Sequence, residues 1–317
     1  MVAQPAPAHS VAKGEYNQFG AYEVSEWPDF AGVELSTTHV SGSVYMIQRP
    51  GGGGNIGVYV GEEGVLLVDA LYPAFGEKII AEVAKLTDHP IRFVVNTHIH
   101  IDHIGANEAL AENGATILAH ESVRQRMLKR LRWPRHHGSL GPQPPAAARP
   151  LITYREAINF HFEDEEVQAF LAPPAHTDGD TFVYFPSANV MHLGDVFRTT
   201  SYPVIDVYNG GSVQGTIDAL DLAIELADSD TKIIPGHGLD VVGIDELTTF
   251  RDMIVTVRDR VLAMIEKGMV LEHVMAAAPT ADFDAQWGKE KGWLAVDFIP
   301  IVFTELGGDV RYRGHQH

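Results

Sequence analysis

The chain has 317 residues, 42 acidic against 23 basic, for a formal net charge of −19 at neutral pH. Such a balance argues against a nucleic-acid partner or substrate, which needs a basic surface, and no apolar run approaches the length of a membrane span. Cysteine is absent, so disulfides and thiolate ligands are excluded.

The expected organisation is a loosely held arm over residues 1–35, then one domain over 36–317. That domain carries an irregular Pro/Gly/Ala-rich insertion at 133–150 and closing helices from about 243. The start, Met1-Val2-Ala3-Gln4-Pro5-Ala6-Pro7, has neither a basic nor an apolar leader segment. It resembles what remains after a leader is removed. A periplasmic or secreted protein is therefore expected, with a cytoplasmic one as the alternative.

Alternation at Ser43–Gln48 predicts a strand, and Asn55–Val60 and Val65–Asp69 predict two more, joined by short Gly-rich turns as an antiparallel meander. The run Gly51-Gly52-Gly53-Gly54 leads into a strand with no Lys-Ser/Thr behind it, so it is read as a mobile hairpin flap rather than a phosphate loop. Helical spacing follows at Phe75–Leu86, with Ile79, Ile80, Val83 and Leu86 on one face. Ile91–Val95 is an apolar strand, 107–111 a short helix and Thr116–Ala119 another strand. Residues 121–132, with Arg124, Arg126, Lys129, Arg130 and Arg132, read as a helix whose charges form a solvated face. His136 and His137, in the insertion, are taken as surface histidines. Strands resume at 151–154, 158–162, 167–171, 181–185 and 190–193. A helix at 213–227, the strand Lys232–Ile234 and two or three further helices complete the chain. The pattern predicts two packed β-sheets with helices outside, α+β in class.

Behind the strand 91–95 stands Asn96-Thr97-His98-Ile99-His100-Ile101-Asp102-His103. Alternate residues of an extended segment point the same way, so His98 and His100 can reach one metal ion. Asp102 and His103 follow where the chain should turn and can face a second point nearby. Imidazole and carboxylate are the ligands that Zn²⁺ accepts best without thiolate. Three further stretches are similar in kind: Ala175-His176-Thr177-Asp178-Gly179-Asp180, Leu193-Gly194-Asp195 and Pro235-Gly236-His237. Each sets a potential ligand beside glycine at or near a strand's end, where a side chain projects from a rigid frame. His120 and His192 lie in apolar strands and are read as satisfied core histidines.

Together these motifs resemble those of the metallo-β-lactamase superfamily, in the expected order and over about two thirds of the chain. The resemblance implies an αββα sandwich of two mixed β-sheets flanked by helices, with two zinc ions at the sheet edges. It implies that His98, His100 and His176 hold the first zinc, that Asp102, His103 and His237 hold the second, and that Asp195 bridges. Asp69 matches the family's strand-end aspartate that orients a ligand, and Asp180 is assigned a similar orienting role. Water on zinc has its pKa lowered from about 15.7 to near 7, so hydroxide serves as nucleophile at neutral pH. Asp102 would orient it and shuttle a proton to the leaving group.

Three features bear on the substrate, expected to be a small molecule. The glycine run lies where the lactamases carry a flap. Arg198, three residues after Asp195, matches the cation that holds the substrate carboxylate in the cysteine-ligand lactamases, where acyl-homoserine lactonases place tyrosine. Asn209-Gly210-Gly211 resembles the asparagine loop beside the scissile carbonyl. Against these, the same lactamases use cysteine where this chain has Asp195 and usually lack a histidine at the position of His103. The seven-ligand set resembles glyoxalase II, lactonases and phosphodiesterases instead. The expectation is a zinc-dependent hydrolase of cyclic amides, β-lactams first, with lactone or thioester hydrolysis as the alternative. A mononuclear iron oxidoreductase of persulfide-dioxygenase type and a silent binding protein are the readings from other classes. Iron analysis and a His98→Ala variant discriminate these. Oligomeric state is left open.

Overall fold

Two mixed sheets face each other in the computed structural model, which describes residues 30, 32–131, 141–163, 165–288 and 293–308. The first sheet runs in chain order through β1 (Ser36–Ser41), β2 (Val44–Gln48), β3 (Asn55–Gly61), β4 (Gly64–Val68), β5 (Ile91–Asn96), β6 (Thr116–His120) and β7 (Ile152–Tyr154). β1 to β4 pair antiparallel and β4 to β7 parallel. The second contains β8 (Ala157–His161), β9 (Glu166–Leu171), β10 (Thr181–Phe185), β11 (Val190–His192) and β12 (Lys232–Ile234). There only the β11–β12 pair is parallel.

Helices α1 (Gly76–Ala84), α2 (Ile101–Ile104), α3 (Asn107–Glu112) and α4 (Glu121–Met127) belong to the first half. The later ones are α5 (Val213–Leu226), α6 (Ile244–Glu266), α7 (Leu271–Ala276), α8 (Asp284–Trp287) and α9 (Ala295–Glu305). The architecture is α+β, two mixed sheets between helical layers, as the fold of the resembled family requires.

Side-chain alternation explains the layering. In β4, Leu66 and Val68 face the second sheet and meet Val183, Phe185 and Ile234, while Val65 and Leu67 face outward beneath α1 and α3 with Ile79, Val83 and Leu110. A strand buried on both faces reads as an unbroken apolar run, as this one does. The outer face of the second sheet, with Phe182, Met191 and Ile233, packs under α5, α6 and α9 through Leu220, Phe250, Ile254 and Phe298. Truncating a side chain such as the fully buried Leu66 to alanine costs about 2–5 kcal/mol.

Four expectations need correction. The predicted Ser43–Gln48 strand is not the first, because β1 precedes it, and Phe30 and Leu35, within the stretch expected as a loose arm, are buried against the first sheet's outer core. The glycine run, expected as a hairpin flap, does not stand out from the surface: Gly52, Gly53 and Gly54 are buried, and Asn55 donates through its backbone to Gly236 O and through its side chain to Pro235 O. Glycine is required at 54, where φ is +67° and a Cβ would stand 2.9 Å from Asp102 O. The basic helix is shorter than predicted and its charges are not simply solvated, since Arg124 donates to Pro150 O and Arg126 pairs with Asp178. The closing helices number four among the described residues. Residues 1–29 of the arm and the stretch 132–140, with His136 and His137, lie outside the described residues.

Candidate metal centre

Strands that run the same way end at one edge, and the polar turns leaving them converge there. β4 is followed by Asp69, β5 by Thr97 and His98, β11 by Gly194-Asp195 and β12 by Pro235-Gly236-His237. The turn between β9 and β10 brings His176. Thr181 N donates to Thr97 O at 2.9 Å, which ties the two sheets together beside these turns. His100 is the N-cap of α2, and that single turn carries Asp102 and His103 away from the direction of His98.

Three overlapping groups of side chains meet here. His98, His100 and His176 present ligand atoms all within 4.8 Å of one another, so do Asp102, His103 and His237, and so do Asp69, His98 and His103, which share a residue with each of the other two. Asp195 lies between the groups, with Oδ2 3.2 Å from His237 Nε2 and 3.7 Å from His176 Nε2, and Oδ1 3.2 Å from His103 Nε2. All seven residues predicted from the sequence are thus brought together.

The buried surroundings dictate how they are held. Asp69, in the left-handed region at φ +72°, accepts from His103 Nδ1 at 2.7 Å and from both the backbone N–H and the hydroxyl of Thr97 at 2.7 Å. It therefore fixes the ring of His103 and the start of the ligand loop at once. Asp180 accepts from His176 N at 2.7 Å, Thr177 N at 2.9 Å and the Thr177 hydroxyl at 2.6 Å. It positions His176 through the main chain rather than through the ring.

Asp206 was not singled out from the sequence. Its Oδ2 accepts from His100 Nε2 at 2.7 Å, leaving Nδ1 of that ring 2.8 Å from His176 Nε2. The one local signal for it was an aspartate just ahead of Val207-Tyr208-Asn209-Gly210, where it caps a single helical turn by accepting from Tyr208 N and Asn209 N.

Burial and the charges of near neighbours set the protonation states. Burial, with the charges of His103 and His176, drives His98 well below the usual histidine range, and burial with the charge of His100 lowers His176 to about 3. Burial would lower His100 and His103 as well. It is outweighed by Asp206 for His100 and by Asp195, Asp69 and Asp102 for His103, so both rise. Against burial, His103 lowers Asp102, while His237, His103 and Arg198 lower Asp195 well below the carboxylate range. Burial pushes Asp180 up to about 7.

Two buried atoms test whether a cation fits. His98 Nε2 and Asp195 Oδ1 have no partner in hydrogen-bond geometry. Leaving such groups unsatisfied costs about 1–3 kcal/mol each. A cation between the rings satisfies both, and the donor set of imidazole nitrogen and carboxylate oxygen is one that divalent transition metals accept. The residues present fit a metal.

The two residues expected to contact substrate stand beside this cluster. Arg198 is buried, with NH2 3.5 Å from Asp195 Oδ2, and lines a cavity of about 130 Å³ with Phe250 and Trp287. Asn209 is buried between Asp206, to which its amide donates, and Arg126, whose NH1 donates to its Oδ1 at 3.0 Å. His192 is the satisfied core histidine expected, with Nε2 3.2 Å from Asn55 O and Nδ1 accepting from Gly194 N. His120 is half-buried and bonded to Ser122 and Arg155 O.

A sequence model of the metallo-beta-lactamase superfamily matches residues 49–237. Among curated proteins, 2,4-dinitroanisole O-demethylase subunit alpha of Nocardioides sp. (strain JS1661) is 26% identical over 148 residues, 46% of this chain and 42% of that protein. Linear primary-alkylsulfatase of Pseudomonas sp. (strain ATCC 19151) is 22% identical over 256 residues, 67% of this chain and 47% of that protein. The chain spans about half the length of these two relatives. Among solved structures, a metallo-beta-lactamase from Pontibacter korlensis superposes with a TM-score of 0.57 at 15% identity, over 70% of this chain and 99% of that one.

Proposed function

Because the chain belongs to the metallo-beta-lactamase superfamily, we propose that it is a dinuclear zinc-dependent hydrolase that opens a β-lactam, a cyclic amide. The observation that carries the hydrolase reading is the pair of His/Asp groups with Asp195 between them. His98, His100 and His176 would hold one ion and Asp102, His103 and His237 the other. When bound, such ions supply water that is acidic near neutral pH and a Lewis acid for the scissile carbonyl.

The protein's own groups do the positioning. Asp102, ionised and at the more exposed side of the cluster, would take a proton from the attacking water and hand that same proton to the leaving nitrogen. Asp69 and Asp206 hold the rings of His103 and His100 in one orientation, so the donor geometry does not have to form on binding. His237 and His103, with Arg198 behind them, hold Asp195 ionised, and Asn209 lies on the wall of a larger cavity.

A second reading is hydrolysis of a sulfate ester. The alignment with an alkylsulfatase favours it, and the same arrangement of donors would serve it. Both are tested by assaying the purified, zinc-loaded protein on a penicillin, a carbapenem, an acyl-homoserine lactone, a glutathione thioester and a primary alkyl sulfate, with and without chelator. Chelator-sensitive lactam turnover is expected. A lactam rate equal to that of buffer, beside clear turnover of any other member, overturns the first reading.

A further inference from the structure

Between β11 and α5 the chain crosses residues 193–212 with only two single helical turns, Gly194–Val196 and Val207–Asn209. A segment this long without regular structure takes its position from what it packs against. Its inner side touches the ligand cluster repeatedly. It supplies Asp195, and Thr199 N donates to His237 O at 3.0 Å. Val204 O accepts from His176 Nδ1. A carbonyl can only accept, so Nδ1 carries the proton and Nε2 keeps its lone pair for the cluster. Asp206 N donates to His176 O at 2.9 Å, and the Asp206 carboxylate holds His100. Two ligands of the first group are thus oriented by residues 204 and 206.

The closing helices hold the outer side. Tyr202, two residues before Val204, is fully buried. Its ring stacks on Phe298 of α9, with centroids 5.7 Å apart and planes 16° off parallel. Its hydroxyl donates to Asp284 Oδ1 of α8 at 2.7 Å and lies 3.2 Å from Thr280 O. The stack fixes the plane of the ring and the hydrogen bond fixes its tilt, so the backbone at 202 cannot shift without breaking one of them. At the other end Glu305, the last residue of α9, accepts from Val213 N at 2.6 Å and Gln214 N at 2.9 Å. Both N–H groups belong to the first turn of α5, which leaves them without a helical partner. α8 and α9 therefore grip both ends of residues 202–214. They lie beyond residues 49–237, the stretch that matches the superfamily and contains every candidate ligand.

Resting on the metal-binding reading above, we infer that the closing helices are a working part of the metal centre and that Tyr202, with Glu305, is a positioning residue for His176 and His100. The ring anchors the segment from behind. The Val204 carbonyl and the Asp206 carboxylate pass that anchorage to the two imidazoles, so the first group meets a cation with its donors already aimed. The second group is held from elsewhere: Asp69 fixes His103, and Asp102 stands on the same turn, α2. The effect of Tyr202 is therefore confined to one ion.

The test reads zinc affinity for each group separately, by competition against a chromogenic chelator. A His103→Ala protein keeps the first group whole, and a His176→Ala protein keeps the second. Adding Tyr202→Leu, which removes stack and hydroxyl together, is expected to weaken zinc binding about tenfold in the first background and less than about twofold in the second. Tyr202→Phe keeps the stack and should restore most of the loss. Val83→Ala, a truncation in the outer core of the first sheet, controls for lost stability and should change neither affinity. Glu305→Ala frees the other end without opening the core, and keeps the test open should Tyr202→Leu not fold. A loss confined to the first background is expected there too. Equal losses in both backgrounds, or none in the first, overturn the inference, because general loosening of the fold would not distinguish the two groups. Zinc binding with this dependence in a protein that opens no lactam leaves the inference standing and removes the proposed substrate. Lactam turnover with zinc affinity indifferent to Tyr202 does the reverse, and a wild type that takes up no zinc removes both.

Discussion

Asp206 Oδ2 lies 2.7 Å from His100 Nε2, across 106 positions of sequence, and both side chains are buried. The carboxylate fixes the ring so that Nδ1 faces His176 and the rest of the first ligand group. It also caps the turn Val207–Asn209 and receives the amide of Asn209. One side chain therefore sets both a candidate ligand and the loop on the cavity wall. Asp206→Ala is expected to weaken zinc binding by roughly 10–100-fold and to cost about 1 kcal/mol of stability from the lost cap. Competition against a chromogenic chelator reads the first and denaturant unfolding the second. An unchanged zinc affinity would show that His100 is oriented without Asp206.

Asp69 plays the matching part for His103, and holds Thr97 as well. Asp69→Asn keeps the shape but loses the charge and can present an N–H toward Nδ1 in place of an acceptor. The expected result is again about a 10–100-fold loss of zinc affinity, accompanied by a lower kcat with KM little changed, because Asp69 is buried behind His103 and Thr97 and lines neither cavity. A rise in KM alone would contradict the assignment.

Metal loading should release protons. Neighbouring carboxylates raise His100 above the ordinary histidine value and His103 well above it, so the metal-free protein holds protons there to higher pH than a free imidazole would, and a cation must displace them. The sign follows: as pH falls, protons compete better, and zinc affinity drops by up to about tenfold per pH unit for each proton displaced. Adding zinc to weakly buffered, metal-free protein at pH 7 should acidify the solution. Zinc uptake with no proton release would rule this out.

Gly54 is the position where the buried glycine loop touches the ligand loop most closely. A methyl group there would meet Leu71 Cδ2 at 2.8 Å and Asp102 O at 2.9 Å, at a φ of +67° that side chains disfavour. Gly54→Ala is expected to destabilise the protein by roughly 1–3 kcal/mol and to lower kcat by displacing Asp102. Calorimetry and steady-state kinetics check the two effects. Gly51, exposed and with nothing within 4 Å of its added Cβ, serves as the internal comparison and should lose only the smaller cost of its positive φ on substitution by alanine.

Much of this protein was legible along the chain. The ligand motif behind β5 and the His176, Asp195 and His237 turns lie at or near strand ends, so local alternation and turn chemistry were enough to find them. The apolar run of β4 announced a strand buried on both faces. What the sequence could not show depends on pairs far apart in it. Asp206 reaches His100, and Arg126 reaches both Asp178 and Asn209, only because the parallel strands and the second sheet bring their ends to one edge. The basic helix looked like a solvated face because charge spacing along a helix carries no information about what lies opposite. The glycine run looked like a projecting flap because glycine permits both an exposed turn and close packing. Which of the two applies was decided by the backbones of Asp102 and Gly238, which approach it in space. Residue type and local period determined the donors and the strands. Only tertiary packing decided which carboxylates orient those donors and where the positive charge of α4 is spent.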